Sequence, residues 1–151
     1  NLKDPKNPVV EGALKIPGFS SYLHPFKENL LIGIGANTTS GGRRIGYKLS
    51  LFDVSDPTKP LEVTNYVSTN DYMGMSLVEY DAKAFLFDGK QDIIGLPLVT
   101  TAKNGSTQNG YALFKISEQN GFEQLCFLDS EGNIFLKIPL INQTNTRHWT
   151  A

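Results

Sequence analysis

The chain has 151 residues, 40% of them hydrophobic and 19% charged, a length of one-domain size and a composition that excludes an intrinsically disordered chain. Fourteen basic residues against fifteen acidic ones leave a formal charge of −1, so no sequence-wide field draws nucleic acid or an anionic membrane. No apolar run approaches the ~18 residues that a membrane span needs, and the single cysteine, Cys126 in Leu-Cys-Phe-Leu, excludes an internal disulfide and reads as a small buried apolar residue.

Apolar residues fall in short clusters or at alternate positions, and Gly, Pro, Asn or Asp interrupts them every few residues, so the chain reads as all-β. In chain order the predicted strands are Val9–Ile16, Ser20–Phe26, Leu30–Gly35, Tyr47–Val54, Leu61–Val67, Lys83–Phe87, Ile93–Val99, Tyr111–Ile116, Phe122–Leu128 and Ile134–Ile141. Strands at this density make a sandwich, a barrel or a propeller.

Internal repetition separates the three. Asp4-Pro-Lys-Asn-Pro8-Val9 recurs as Asp56-Pro-Thr-Lys-Pro60-Leu61, 52 residues on. Leu31-Ile-Gly-Ile34 recurs as Ile93-Ile-Gly-Leu96, and Leu51-Phe-Asp-Val-Ser55 as Leu113-Phe-Lys-Ile-Ser117, both 62 residues on. Four strands per unit at a spacing of ~50 to 60 residues is the signature of propeller blades. Residues 4–16 then read as the closing strand of one blade, 17–67 as a blade, 68–128 as a second, and 129–151 as the start of a further blade or a tail. Propellers close with about four to eight blades, so the chain is expected to be an excerpt of a larger propeller or to complete its sheets by self-association.

The change of offset from 52 to 62 places an insertion of ten residues between Val67 and Lys83, expected to be a loop on one propeller face. Tyr72, Met73, Met75 and Tyr80 make that loop apolar, either folded over the channel or presented as a contact patch. The connections 36–46 and 100–110 are rich in Gly, Asn, Thr and Ser and read as polar loop tips.

Several segments carry a resemblance. Leu14 to Pro25 (Leu-Lys-Ile-Pro-Gly-Phe-Ser-Ser-Tyr-Leu-His-Pro), Leu30 to Gly35, Leu49 to Pro57 (Leu-Ser-Leu-Phe-Asp-Val-Ser-Asp-Pro), Tyr80 to Asp88 and Asn120 to Glu123 together resemble bacterial secreted proteins with a C-terminal β-propeller domain distantly related to WD repeats. The resemblance implies a secreted or bacterial cell-surface location and no defined activity. It departs from the family pattern at Ala82, where a histidine often stands, and in the tail that contains His148 and Trp149.

The candidate sites divide into channel, loop and turn residues. Ser20, Ser21, Tyr22 and His24 are expected on the innermost strand, meeting the channel. His24 lacks any patterned partner that would make it a general base, and a hydrogen-bonded structural role is the expectation for it. Asp53, Asp88 and Asp92 flank turns and are weak candidates for Ca²⁺ through oxygen ligands, although Asp is also the ordinary turn-closing residue. Gly33-Ile-Gly35 begins like a dinucleotide loop but fails at its third glycine, so Gly33 and Gly95 read as matched packing positions of successive blades.

Two functional readings follow. The first is a non-enzymatic extracellular binding or scaffold module, contacting protein or cell-wall glycan through loops 68–82 and 36–46. The second is a propeller enzyme, a metal-dependent hydrolase or lyase with a channel-bound cation. No cofactor is expected under the first reading.

Overall fold

A computed structural model describes residues 1, 3–68 and 71–136, with Asp71 and Tyr72 described by their backbone alone. Strands β1 (Phe19–Lys27), β2 (Leu30–Thr38), β3 (Arg44–Asp53) and β4 (Leu61–Val67) form an antiparallel meander in sequence order, sheet A. Sheet B contains β5 (Asp71–Ser76), β6 (Leu86–Asp88), β7 (Ile93–Ala102), β8 (Thr107–Ser117), β9 (Gly121–Asp129) and β10 (Ile134–Leu136). Its path is β10-β9-β8-β7-β5, with β6 also paired to β7.

Short turns fix the meanders. Three hairpins are built alike, at Thr39–Arg43, Ala102–Ser106 and Asp129–Asn133. In each, the first residue's N–H donates to the carbonyl of the last, and a glycine N–H donates back to the first carbonyl. Those glycines, Gly42, Gly105 and Gly132, have φ of 81°, 85° and 90°, the left-handed conformation that a three-residue hairpin loop requires. The expected loops 36–46 and 100–110 are therefore mostly strand, capped by these tight tips.

The sheets stack around one core. Ile32, Ile34, Leu49 and Leu51 of sheet A meet Ile94, Leu96, Ala112, Phe114 and Ile116 of sheet B. Like sides lie together: His24 of β1 packs on Phe87 of β6 at the inner edge, and the Tyr66 hydroxyl of β4 donates to Gln124 of β9, the fourth strand of sheet B counted from that edge. Edge-matched stacking of successive meanders is the arrangement of neighbouring propeller blades.

Three sequence expectations are corrected. The insertion between Val67 and Lys83 is no loop: Asp71–Ser76 forms β5 against the far half of β7, while β6 takes the near half. Two separate segments thus share the innermost strand position of sheet B, and an offset count registers the second as surplus. Lys83–Phe87 is a 3-10 turn (Ala82–Ala84) running into β6, because the Asp81 carboxylate caps the turn at the Lys83 N–H. Val9–Ile16 is extended but belongs to neither sheet.

A fourth correction concerns register. Ile32 stands opposite Leu51, whereas its repeat counterpart Ile94 stands opposite Phe114, not Leu113. This shift of one residue inverts the faces of β7 relative to β2. Gly33 points away from sheet B, under Ser20 and Phe52, and Gly95 points away from sheet A, under Tyr111 and Leu113, so the two glycines serve opposite faces. Of the segment 129–151, Ile134–Leu136 extends sheet B as a fifth strand along its path, and residues 137–151, with His148 and Trp149, lie outside the described residues.

Candidate functional site

The expected channel cluster is divided among three environments, because a bulge at Ser21 and the alternation of β1 turn neighbouring side chains to different faces. Ser20 lies over Gly33 on the outer face of sheet A. Ser21 Oγ donates to Glu79 at 3.3 Å. Tyr22 and His24 point between the sheets into an aromatic group with Phe85, Phe87 and Phe26.

Within that group the Tyr22 hydroxyl and His24 Nδ1 are 3.0 Å apart, and the imidazole packs 4.9 Å from the Phe85 ring and 4.8 Å from the Phe87 ring. Burial pushes the His24 pKa below its ordinary value. Among the described residues the imidazole, set between two phenyl rings, has the Tyr22 hydroxyl as its polar partner, an arrangement that packs and orients the ring.

The best-defined polar constellation was not anticipated. Ser76 and Glu79 form a capping box on the 3-10 turn Leu77–Glu79: Ser76 Oγ accepts from the Val78 N–H, and the Glu79 carboxylate accepts from the Ser76 N–H. The same carboxylate, 3% exposed, receives the Arg44 guanidinium of β3 through both terminal nitrogens. Arg44 Nη1 also donates to the Gly74 carbonyl at 3.0 Å, and the guanidinium stands 5.9 Å over the Phe19 ring. One fork therefore ties β3, β5 and the 3-10 turn together, with Ser21 of β1 as a further donor.

Exposed apolar side chains adjoin this clamp, Phe19 beneath the guanidinium and Leu77 and Tyr80 on the turn that carries Glu79. Phe19 is 54% exposed, Leu77 55% and Tyr80 75%. Tyr80 follows Glu79 directly, so the turn that holds the ion pair also presents the ring. Met73 and Met75 point elsewhere: they pair with Thr101 and Val99 on the outer face of sheet B and are exposed there. The side chain of Tyr72 lies outside the described residues.

The turn carboxylates are engaged in their turns. Asp53 accepts from the Ser55 N–H, and Asp88 from the N–H groups of Lys90 and Gln91 and from the Gln91 amide. These bonds hold both carboxyls below the usual carboxylate range. Asp92 pairs with Lys27 at 3.3 Å. Among the described residues no group of three or more His, Cys, Asp or Glu side chains converges as a metal site.

A second buried network lies on the outer face of sheet A. Lys48 Nζ contacts the Glu62 carboxylate at 2.7 Å and donates to the Pro17 carbonyl at 3.0 Å, and Ser50 Oγ donates to Glu62 at 2.6 Å. It fastens the segment before β1 to the sheet, and among the described residues no buried side-chain polar atom lacks a hydrogen-bond partner.

Two antiparallel sheets packed face to face around one core, with like edges together and an ion-pair clamp between them, have the arrangement of successive β-propeller blades. The chain belongs to the beta propeller domain family, whose model matches residues 1–137. It is 38% identical over 120 residues to an uncharacterized protein of Archaeoglobus fulgidus, covering 80% of this chain and 18% of that protein. It is 46% identical over 97 residues to uncharacterized protein MJ1554 of Methanocaldococcus jannaschii, covering 64% of this chain and 14% of that protein. The matches thus span less than a fifth of the length of these curated relatives. No solved structure matches.

Proposed function

We propose that the chain is part of a larger extracellular β-propeller and acts as a non-enzymatic binding or scaffold module, contacting protein or cell-wall glycan. The observation that carries this reading is the exposure of Phe19, beneath the Arg44 guanidinium, and of Leu77 and Tyr80, on the turn that holds Glu79, next to the partly buried Arg44–Glu79 pair. Exposed aromatic side chains on a rigid support lose little conformational entropy on binding, which suits them as contact anchors. The polar groups beside them are already paired, so they orient the patch and do not attack a bound molecule.

The test is binding of the purified chain to isolated cell-wall polysaccharide and to a solubilised envelope-protein fraction, with Tyr80→Ala and Phe19→Ala as variants. Saturable binding that weakens about tenfold in either variant, roughly the loss of one good anchor, supports the proposal, provided that circular dichroism shows both variants folded. Absence of saturable binding to either material, or stoichiometric Ca²⁺ or Zn²⁺ in the purified protein, overturns it. Fractionation of cells that produce the full-length protein tests the location separately.

A further inference from the structure

The sequence holds three Asn-x-Ser/Thr triplets, at Asn37, Asn104 and Asn142, the pattern to which N-linked sugar is added in exported chains. Asn142 lies outside the described residues. The other two fall at the matching hairpins of the two sheets, β2–β3 and β7–β8, and their surroundings differ. Asn37 is half-buried and paired with Gly46 in the ladder. The segment before β1 crosses it closely, since a Cβ on Gly18 would stand 3.4 Å from the Asn37 Cα. The Thr39 hydroxyl of that triplet is used within its own hairpin, where it accepts from the Arg43 N–H.

Asn104-Gly105-Ser106 forms the tip of the β7–β8 hairpin, and every residue from Lys103 to Asn109 is exposed. A Cβ on Gly105 would meet nothing within 4 Å, so the tip has room for a bulky group. Asn104 Oδ1 accepts from both the N–H and the hydroxyl of Ser106, at 3.0 and 2.7 Å. The carboxamide and the hydroxyl, the two groups that define the triplet, are thus held side by side. With Oδ1 doubly engaged, Nδ2, the atom to which sugar bonds, has no hydrogen-bond partner among the described residues.

The hairpin does not require this asparagine. The Thr39–Arg43 and Asp129–Asn133 tips make the same pair of backbone bonds with Gly41 and Glu131 in its place. An Asn-Gly sequence has a second fate, attack of the glycine nitrogen on the carboxamide carbon with loss of ammonia. The turn opposes it here, because the Gly105 N–H donates to the Ala102 carbonyl at 2.9 Å and its nitrogen is held there.

We propose that Asn104 is an N-glycosylation site, taking an oligosaccharide from a polyisoprenyl phosphate or diphosphate donor by the action of a membrane oligosaccharyltransferase. In the transfer, Nδ2 gives a proton to a base of the transferase and bonds to the anomeric carbon of the sugar. The bond from that carbon to the donor's phosphate oxygen breaks, and its electron pair leaves with the phosphate. The site rests on the extracellular reading proposed above, because chains meet this donor in the course of export.

The test isolates the full-length protein from fractionated cells that produce it and weighs the peptides containing Asn104 and Asn37 by mass spectrometry, before and after release of sugar. The Asn104 peptide is expected to be heavier by whole sugar residues, and the Asn37 peptide to keep its unmodified mass. Asn104→Gln and Ser106→Ala are each expected to abolish the gain, and Ser106→Thr to retain it, with circular dichroism showing the variants folded. A bare Asn104 in protein found outside the cells overturns the site and leaves the extracellular reading standing. Protein found wholly inside the cells overturns both. The site also fails if sugar is carried at Asn37 in place of Asn104, or if the gain at Asn104 equals only the conversion of its amide to an acid. Should a variant not fold, the masses of the native peptides decide by themselves.

Discussion

Glu79 concentrates more donors than any other carboxylate described: two guanidinium nitrogens, the Ser76 N–H and the Ser21 hydroxyl converge on it. Removing its charge leaves Arg44, only 20% exposed at its side chain, without a counter-ion. Glu79→Gln is expected to destabilise by about 2–4 kcal/mol, toward the lower part of the range for broken buried pairs because Arg44 keeps some water. Urea unfolding checks this, and a loss under 1 kcal/mol would place the pair among weak surface contacts. His24 gives a pH test. Its folded-state pKa is depressed, so it contributes stability above the unfolded-state pKa that is lost as pH falls through the lower folded value. The difference in melting temperature between the native chain and His24→Phe is expected to change through the mildly acidic range and to be flat above it. Part of the clamp could be read in the sequence, since Ser76-Leu-Val-Glu79 has the spacing of a capping box. Arg44 could not, because it meets Glu79 across 35 residues and no local pattern encodes that distance.

At the scale of elements, the strands of sheet A follow from alternation and turn chemistry, and β4 occupies its predicted span, Leu61–Val67. Sheet B was less legible at its inner edge. Asp71–Ser76 is short, has two glycine-flanking methionines for an apolar signal, and its residues pair with partners more than twenty positions further along the chain. Only the tertiary partner makes it a strand. The register shift was also hidden, since equal sequence offsets for β2 and β3 say nothing of how they slide against each other. Glycines test the packing directly. A Cβ on Gly35 would lie 2.1 Å from the Phe19 carbonyl, a backbone atom that cannot swing aside, whereas at Gly41 the nearest atom is 3.8 Å away. Gly35→Ala is therefore expected to destabilise by about 1–3 kcal/mol, the usual range for overpacking. Gly41→Ala is expected to stay within about 0.5 kcal/mol, as surface substitutions do, and thermal unfolding of the pair separates the two cases.

At the scale of the whole molecule, sheet B presents an apolar face that no other described element covers. Leu86, Met75, Val99 and Leu128 are exposed on the side of sheet B turned away from sheet A, around Tyr111, whose burial pushes its phenol pKa up. Such a face favours association of the isolated chain. Sedimentation velocity is expected to show a mass that rises with concentration, and the double variant Val99→Lys, Leu128→Lys to remain monomeric. A monomeric native chain at all concentrations would contradict this. The turn carboxylates add a shared acid sensitivity. Asp4, Asp56, Asp88 and Asp129 are all held below the usual range by hydrogen bonds within their turns. Each contributes stability above its unfolded-state pKa that is lost as pH falls through the lowered value; because all four are solvent-exposed the effect of each is small, and the melting temperature is expected to decline gradually below about pH 4.

The split inner strand of sheet B bears on the order in which the chain folds. Every pairing in sheet A joins sequence neighbours through a short turn, so its loops close at low entropic cost. Sheet B completes its inner edge only when β5 returns across the 3-10 turns and β6 to reach the far half of β7, a longer closure within the same sheet. Refolding should therefore show early protection of β2 and β3 amides and late protection of β5. The Arg44–Glu79 clamp would then form after the rate-limiting step, so that Glu79→Gln accelerates unfolding while leaving the refolding rate nearly unchanged.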